Sequence, residues 1–151
     1  MTTANTHNAY AFNRTQVMEK FAQFWEGAPD GLFMVLSHDA ATDSARAALD
    51  ATCSRLGYAC GVTYIYSVGE KLTSDDLRSV IEGFDPRALI IVDTTAAHAC
   101  EAAYCEKVAL GAAGRLFGRT TCAFSNLDTL IQTTEGKQKA WHTLKALPEF
   151  A

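Results

Sequence analysis

The sequence predicts an α/β fold, with helices on both faces of a mostly parallel sheet, from three observations around a single buried segment. First, residues 88–92 are continuously apolar and rich in β-branched side chains, which is typical of a strand covered on both faces. Second, Asp85-Pro86 ends the preceding helix, because proline pushes its predecessor out of the α region. Third, Asp93 and the two threonines after it can cap the N-terminus of a new helix. A helix–strand–helix unit of this kind is typical of a parallel α/β sheet.

Helices and strands are predicted to alternate along the chain, without internal repeats or a linker. Residues 1–12 are predicted to form a flexible polar tail, and a single domain is predicted over residues 13–151. Apolar residues at helical spacing from Val17 to Trp25 predict a first helix, which ends at the glycine- and proline-containing segment 27–31. The other predicted elements are a strand at 32–36, a helix from Thr42 to about Leu56, a strand at 61–66, a helix from Thr73 to about Phe84, the strand at 88–92 with its following helix, a strand at 119–124 and a closing helix at 134–147.

The connections between these strands predict their order in the sheet. Short right-handed crossovers place helices on both faces, which gives a three-layer α/β/α sandwich. We expect four parallel strands in the order 2-1-3-4, with the strands at 32–36 and 88–92 at the centre. The strand order then reverses between these two central strands.

The composition weighs against several classes of function. The chain has 151 residues, of which 48% are hydrophobic and 20% charged, as expected of one ordinary globular domain. The formal net charge of −4 weighs against strong binding to nucleic acids or anionic membranes, for which a basic surface supplies most of the affinity. Weak nucleic-acid binding is therefore the most that we expect.

The cysteines and the N-terminus predict a reducing, cytoplasmic location. None of the five cysteines forms a C-x-x-C pair, and the N-terminus lacks the basic-then-apolar pattern of a secretory signal. No apolar run approaches the ~20 residues that cross a bilayer, so no membrane association is expected.

Ligands of open parallel sheets bind beyond the carboxyl ends of the strands, at the point where the strand order reverses. In this chain, the loops that leave the first, third and fourth predicted strands carry polar side chains of several types. We therefore expect a binding site at these loops. Its predicted members are Ser37, His38, Asp39, Asp93, Thr94, Ser125 and Asn126.

Two of these positions suggest chemistry. His38 beside Asp39 is a candidate acid–base pair, because imidazole titrates near neutral pH and a carboxylate can tune it. Both residues also suit a simpler role as exposed loop residues that cap the next helix. Asp93 is the stronger candidate for ligand binding, although it also suits a helix cap.

No metal or cofactor site is predicted. On a helix, His98 and Cys100 lie about 200° apart and cannot easily share an ion. The glycines at 111, 114 and 118 follow a helix rather than a strand, so they do not form a dinucleotide-binding or P-loop fingerprint.

Two segments carry a resemblance to a known family. Residues 81–97 contain a helix end, the buried strand and the start of a helix, and residues 118–144 contain the last strand, its exit loop and the closing helix with the pattern K-x-K-A-W-x-x-L. Their sequence and order resemble the uracil-DNA glycosylase superfamily, particularly its small bacterial members. The resemblance implies that family's three-layer fold over about residues 31–147.

The differences from that family lie in its chemical motifs. The family's first motif, G-E-A-P-G or G-Q-D-P-Y, is replaced by residues 37–41, which contain neither glycine nor proline. Its final motif begins with His-Pro, whose histidine stabilises the departing uracil anion, and this chain has Ser125-Asn126 there. Asp93 replaces the glycine that follows the family's central strand and lets a backbone approach closely. We therefore expect that the chain is not an active uracil-DNA glycosylase.

Three hypotheses follow for its function. The first is a catalytically degenerate, glycosylase-like binding or accessory module with a small-molecule or protein partner. The second is an enzyme that acts on a nucleotide or other small substrate with His38, Asp39 or Asp93. The third is a structural subunit of a protein complex.

Overall fold

The computed structural model describes residues 14–150. The predicted tail at 1–12 lies outside the described residues. A helical segment at 14–20, named α1, is followed by a 3₁₀ turn at Ala22–Phe24. The remaining elements are β1 Trp25–Gly27, β2 Phe33–Leu36, α2 Asp43–Arg55, β3 Val62–Ile65, α3 Ser74–Phe84, β4 Ala88–Ile91, α4 Thr94–Tyr104, β5 Ala112–Leu116, β6 Arg119–Ala123, α5 Leu127–Leu130 and α6 Thr134–Leu144.

The α/β class is confirmed, but the sheet differs from the prediction. It has six strands in the order β1-β3-β2-β4-β6-β5, and it is mixed rather than all parallel. The inner strands β3, β2, β4 and β6 are parallel to their neighbours. The outer strands β1 and β5 pair antiparallel with β3 and β6. The prediction of a four-stranded parallel sheet is therefore corrected to a six-stranded mixed sheet.

The strand β1 replaces the end of the predicted first helix. Trp25 pairs with Ile65 of β3 instead of continuing the helix. The indole N–H of Trp25 donates to the Met18 carbonyl at 3.0 Å, and its ring meets Phe84 edge-on with ring centres 5.7 Å apart. The contacts that the half-buried ring makes with distant residues stabilise the strand more than the helical spacing of the local sequence stabilises a longer helix.

The strand β5 was not predicted because its residues give little signal. Alanine and glycine are poor strand formers, and four of its five residues are exposed. The strand is formed by a hairpin with β6, whose turn places Phe117 and Gly118 at φ of 49° and 85°. Two consecutive positive φ values are typical of a tight hairpin turn.

Helices cover both faces of the sheet, because successive residues of a strand point to opposite sides. On one side, Met34, Leu36, Leu89 and Ile91 pack in a cluster with residues of α3 and α4. On the other side, residues such as Val35 pack with α2, α5 and α6. All four residues of β2, of β3 and of β4 are buried, which explains the continuous apolar run that predicted β4. In the described part of the chain, no helix is long and apolar enough to cross a membrane.

Candidate functional site

The fold brings the predicted site residues together at the carboxyl ends of the inner strands, here called the strand-exit edge. Leu36 at the end of β2 lies opposite Ile91 at the end of β4, so the two exit loops are neighbours. An isolated bridge between Asp93 and Asn126 joins the exit of β4 to the exit of β6. All three loops therefore meet, as a sheet of this kind requires.

Asp93 connects two of these loops through its carboxylate. Its Oδ1 accepts a hydrogen bond from the Ala96 amide at 2.8 Å, which caps the N-terminus of α4. Its Oδ2 accepts one from the His38 amide, also at 2.8 Å. One carboxylate thus caps a helix, as the sequence suggested, and fixes the exit loop of β2, so each of its two oxygens accepts a hydrogen bond from a backbone amide.

The residues of the β6 exit are also held by the backbone. The Ser125 carbonyl accepts hydrogen bonds at 3.1 Å from both the amide and the hydroxyl of Thr94. The Asn126 side-chain oxygen accepts a hydrogen bond from the Thr129 amide at 3.0 Å and caps α5. Ser37 is buried, and its hydroxyl lies 3.4 Å from the Ile65 carbonyl. Thr94 and Ser37 therefore connect neighbouring exits of the sheet through backbone carbonyls, whereas Asn126 caps its own helix.

His38 is the histidine of the exit loops in the described chain, and its carboxylate neighbour is Glu70 rather than Asp39. Its Nδ1 lies 3.2 Å from the Val68 carbonyl, which suits a protonated Nδ1. Its Nε2 lies 3.8 Å from a carboxylate oxygen of Glu70, and the imidazole side chain is 29% exposed. Asp39 is exposed, and its carboxylate has no hydrogen-bond partner among residues 14–150.

A second polar cluster near this edge was missed by the sequence analysis. Tyr66 follows β3, and its hydroxyl contacts both the Glu26 carboxylate and the Arg46 guanidinium. The guanidinium lies 4.6 Å from the ring centre of Tyr64, and the Tyr64 and Tyr66 rings are parallel at 6.3 Å. Tyrosines two residues apart on a strand share a face, which was the available signal. The position of Glu26 could not be found, because it depends on the unpredicted β1.

Hydrogen bonding and burial favour an ionised Glu26 and a neutral Tyr66 in this tyrosine–carboxylate cluster. The hydrogen bond from Tyr66, followed by that from Arg46, holds the pKa of Glu26 below its usual value. Burial, together with the hydrogen bond to Glu26, raises the pKa of Tyr66. The carboxylate therefore stays ionised and the phenol stays neutral, so neither group is suited to exchange a proton.

Burial disfavours the reactive thiolate form of the three buried cysteines. Burial raises the pKa of Cys53 to about 11 and those of Cys100 and Cys122 to about 12. A thiol with such a pKa is almost entirely protonated at neutral pH, whereas thiolate is the reactive form. Within residues 14–150, no group of three or more His, Cys, Asp or Glu side chains is placed to hold a metal ion.

Comparison with known proteins adds no family to this description. No family model and no curated protein matches the chain.

Proposed function

We propose that the protein is a non-catalytic binding or accessory module built on a glycosylase-like α/β fold. The observation that carries this proposal is the double engagement of Asp93. A helix N-terminus and an adjacent loop amide can form an anion-binding site when no side chain caps them, because their N–H groups then point at the ligand. Here the amides of Ala96 and His38 already donate to the two oxygens of Asp93, at 2.8 Å each. The chain's own carboxylate thus occupies the place of an external anion.

This arrangement opposes glycosylase chemistry in particular. Excision of uracil produces an anionic base, which needs a preorganised donor, and removal of one such donor typically costs ~10²–10³ in rate. The negative charge of Asp93 lies on the amides that would serve this purpose. At the exit of β6, the side-chain oxygen of Asn126 is committed to the α5 cap. Neither loop presents a preorganised cationic or imidazole donor in the position that the family motif would require.

The sheet supports the fold part of the proposal. The inner strands β3-β2-β4-β6 correspond to the predicted strand order, and β4 runs directly into α4 through the Asp93 cap. The outer antiparallel strands lie at the two ends of the sheet and do not separate any of the inner strands from one another.

The test of this proposal is an assay for abasic-site formation. Single- and double-stranded oligonucleotides with one uracil are incubated with the protein and treated with alkali, beside an active glycosylase as positive control. We expect no cleavage, and weak DNA binding that falls further when the salt concentration is raised. Cleavage that is lost in His38→Ala or Asp39→Ala would overturn the proposal.

A second candidate function rests on the surroundings of His38. With Nδ1–H facing the Val68 carbonyl, the neutral imidazole carries its lone pair on Nε2, the nitrogen that a general base uses, and the exposed Glu70 carboxylate lies 3.8 Å from it, beyond hydrogen-bond distance. This geometry favours an enzyme that takes a proton from a small substrate at the strand-exit edge. The test is to incubate the protein with a panel of nucleosides and nucleotides and to measure product formation by chromatography. Turnover that disappears in His38→Ala and falls in Glu70→Gln would favour this function over the binding module.

A further inference from the structure

A groove lies between α2 and α6, on the outside of the helical layer and apart from the residues of the strand-exit edge. It has a volume of about 270 Å³ and is partly open to solvent. The small side chains Ala48, Ala51 and Ala140 leave this space open between the two helices. Its floor includes Leu127 and Leu144, both of which are buried in the core.

The charged groups of the groove have one sign. Arg55 and Lys137 line it, and no acidic residue of the described chain does so. Neither cation forms an ion pair within residues 14–150. An unpaired arginine and lysine beside an apolar surface are suited to an anionic group on an apolar ligand.

Arg55 is held in a position that leaves its donors free. The centre of its guanidinium lies 4.4 Å from the Trp141 ring centre. Stacking on an aromatic ring uses the face of the guanidinium, whereas its N–H donors point outward from the edge. These donors match the two oxygens of a carboxylate, and the half-buried Trp141 provides an apolar wall beside them.

We propose that the α2–α6 groove is a binding site for a small monocarboxylate with a compact apolar body, such as an arylalkanoate. The inference rests on the proposed role as a binding module and names its ligand class. The apolar body fills the space above Leu127 and Leu144, and the carboxylate binds Arg55, with Lys137 adding positive charge. The groove volume of about 270 Å³ lies just below the range of about 300–1,000 Å³ that is typical of sites for drug-sized ligands, so it suits a small ligand.

Calorimetric titration of the wild-type protein tests the charge requirement. The probes are 3-phenylpropanoate, 3-phenylpropanol and 3-phenylpropylamine, which share the ring and chain and differ in the terminal group. We expect saturable binding of the carboxylate, at least about tenfold weaker binding of the alcohol, and no binding of the amine, because only the carboxylate forms charge-assisted hydrogen bonds with Arg55. Equal affinity for all three probes, or no binding of the carboxylate, would overturn the proposal.

Two variants and a control test the location. Arg55→Gln should weaken carboxylate binding at least about tenfold, and Ala51→Leu should abolish it by filling the groove. Lys145→Gln removes a cation from the end of α6 that does not line the groove, and it should leave the affinity unchanged. Circular dichroism melts check that each variant is folded. Carboxylate binding that persists in both folded groove variants would overturn the proposal.

Sedimentation velocity at two protein concentrations tests the alternative occupant, a second copy of the chain. A dimer that dissociates in Ala51→Leu would mean that the groove is an interface, and it would overturn the proposal. A monomer that binds the carboxylate supports it. Uracil excision by the wild-type protein would refute only the proposed function. Failure of the wild-type protein to bind 3-phenylpropanoate, without uracil excision, would refute only the proposed ligand class.

Discussion

The strand-exit edge and the α2–α6 groove have opposite ways of using polar groups. At the strand-exit edge, polar side chains are numerous, and their hydrogen bonds mainly go to the backbone of neighbouring loops. Asp93 and Asn126 each cap a helix, and Asp93 also holds the β2 exit loop. In the groove, charged side chains are few, and Arg55 and Lys137 have no ionic partner among residues 14–150.

This difference shows that a cluster of polar residues is not by itself a sign of binding capacity. Buried or partly buried polar groups must be hydrogen-bonded, and caps satisfy that requirement within the chain. What remains for a ligand is the set of donors without an internal partner, together with space that small side chains leave open. By that criterion, the groove has more binding capacity than the strand-exit edge, apart from His38.

The largest effect is expected at a residue that supports both regions. Ile90 is fully buried in β4, whose exit leads to Asp93, and it belongs to the core cluster that also contains Leu127 and Leu144 beneath the groove. Ile90→Ala should lower the free energy of unfolding by about 2–5 kcal/mol, as large-to-small core changes do. Denaturant melts measure this loss. A loss below about 1 kcal/mol would show that β4 is not the shared support of the two regions.

The second largest effect should come from the strand-exit edge itself. Asp93→Ala removes the α4 cap and leaves the amides of His38 and Ala96 without their acceptor. We expect a loss of about 1–3 kcal/mol in denaturant melts, because both a cap and a part-buried hydrogen bond are lost. Asp39→Ala is the matched control, since Asp39 is exposed on the β2 exit loop that Asp93 contacts, and it should change stability by less than about 0.5 kcal/mol. Equal losses would contradict a structural role for Asp93.

The difference between these two aspartates marks what the sequence could reveal. The cap at Asp93 was predictable, because it depends only on a buried strand followed by Asp-Thr-Thr. The second hydrogen bond of Asp93 was not, because it joins residues 55 positions apart. The contact between His38 and Glu70 was not predictable either, because it joins distant parts of the sequence. Glu70 lies on the loop after β3, which turns back at Ser67, where φ is 56°.

The limits of the fold prediction have a similar cause. The central strands β2 and β4 carry continuous apolar runs, so their local sequence predicts them. The outer strands β1 and β5 depend on pairing partners, because one begins within a helical pattern and the other consists mostly of exposed small residues. The groove was not predicted at all, since it arises from the spacing of alanines on two helices that are far apart in the sequence.

A cluster of charged residues at the start of β6 differs from both regions, because its carboxylates are paired with an arginine. Arg119 contacts Glu82 at 3.0 Å and Asp85 at 2.8 Å. The hydrogen bond from Arg119 holds the pKa of Glu82 below its usual 4.5. Because the folded pKa is the lower one, this contribution is present above pH 4.5 and is lost as the pH falls through the folded pKa.

Glu82→Gln should therefore destabilise the protein at pH 7 and have less effect in acid. The side chain of Glu82 is 40% exposed, so solvent screening limits the expected loss to below about 1 kcal/mol. Denaturant melts at pH 7 and at several values below 4.5 follow the difference between variant and wild type. Glu135→Gln, which affects only an exposed pair with Lys139 on α6, is the control and should show a smaller difference at pH 7. A Glu82→Gln difference that grows in acid would contradict the assigned direction of the pKa shift.

The smallest change in stability is expected in the groove, where the largest change in binding is also expected. Ala51 is exposed on α2 and lines the open space, so a leucine there can enter the groove without displacing a core side chain. Leucine is also a good helix former, and the free energy of unfolding should change by less than about 0.5 kcal/mol. Asp93→Ala should show the reverse pattern, with lost stability and undiminished carboxylate binding, because Asp93 does not line the groove. Thermal melts and calorimetric titrations of both variants give four measurements that can be compared directly. Destabilisation by Ala51→Leu comparable to that of Asp93→Ala would mean that the groove is closed packing rather than open space, and the contrast between the two regions would fail.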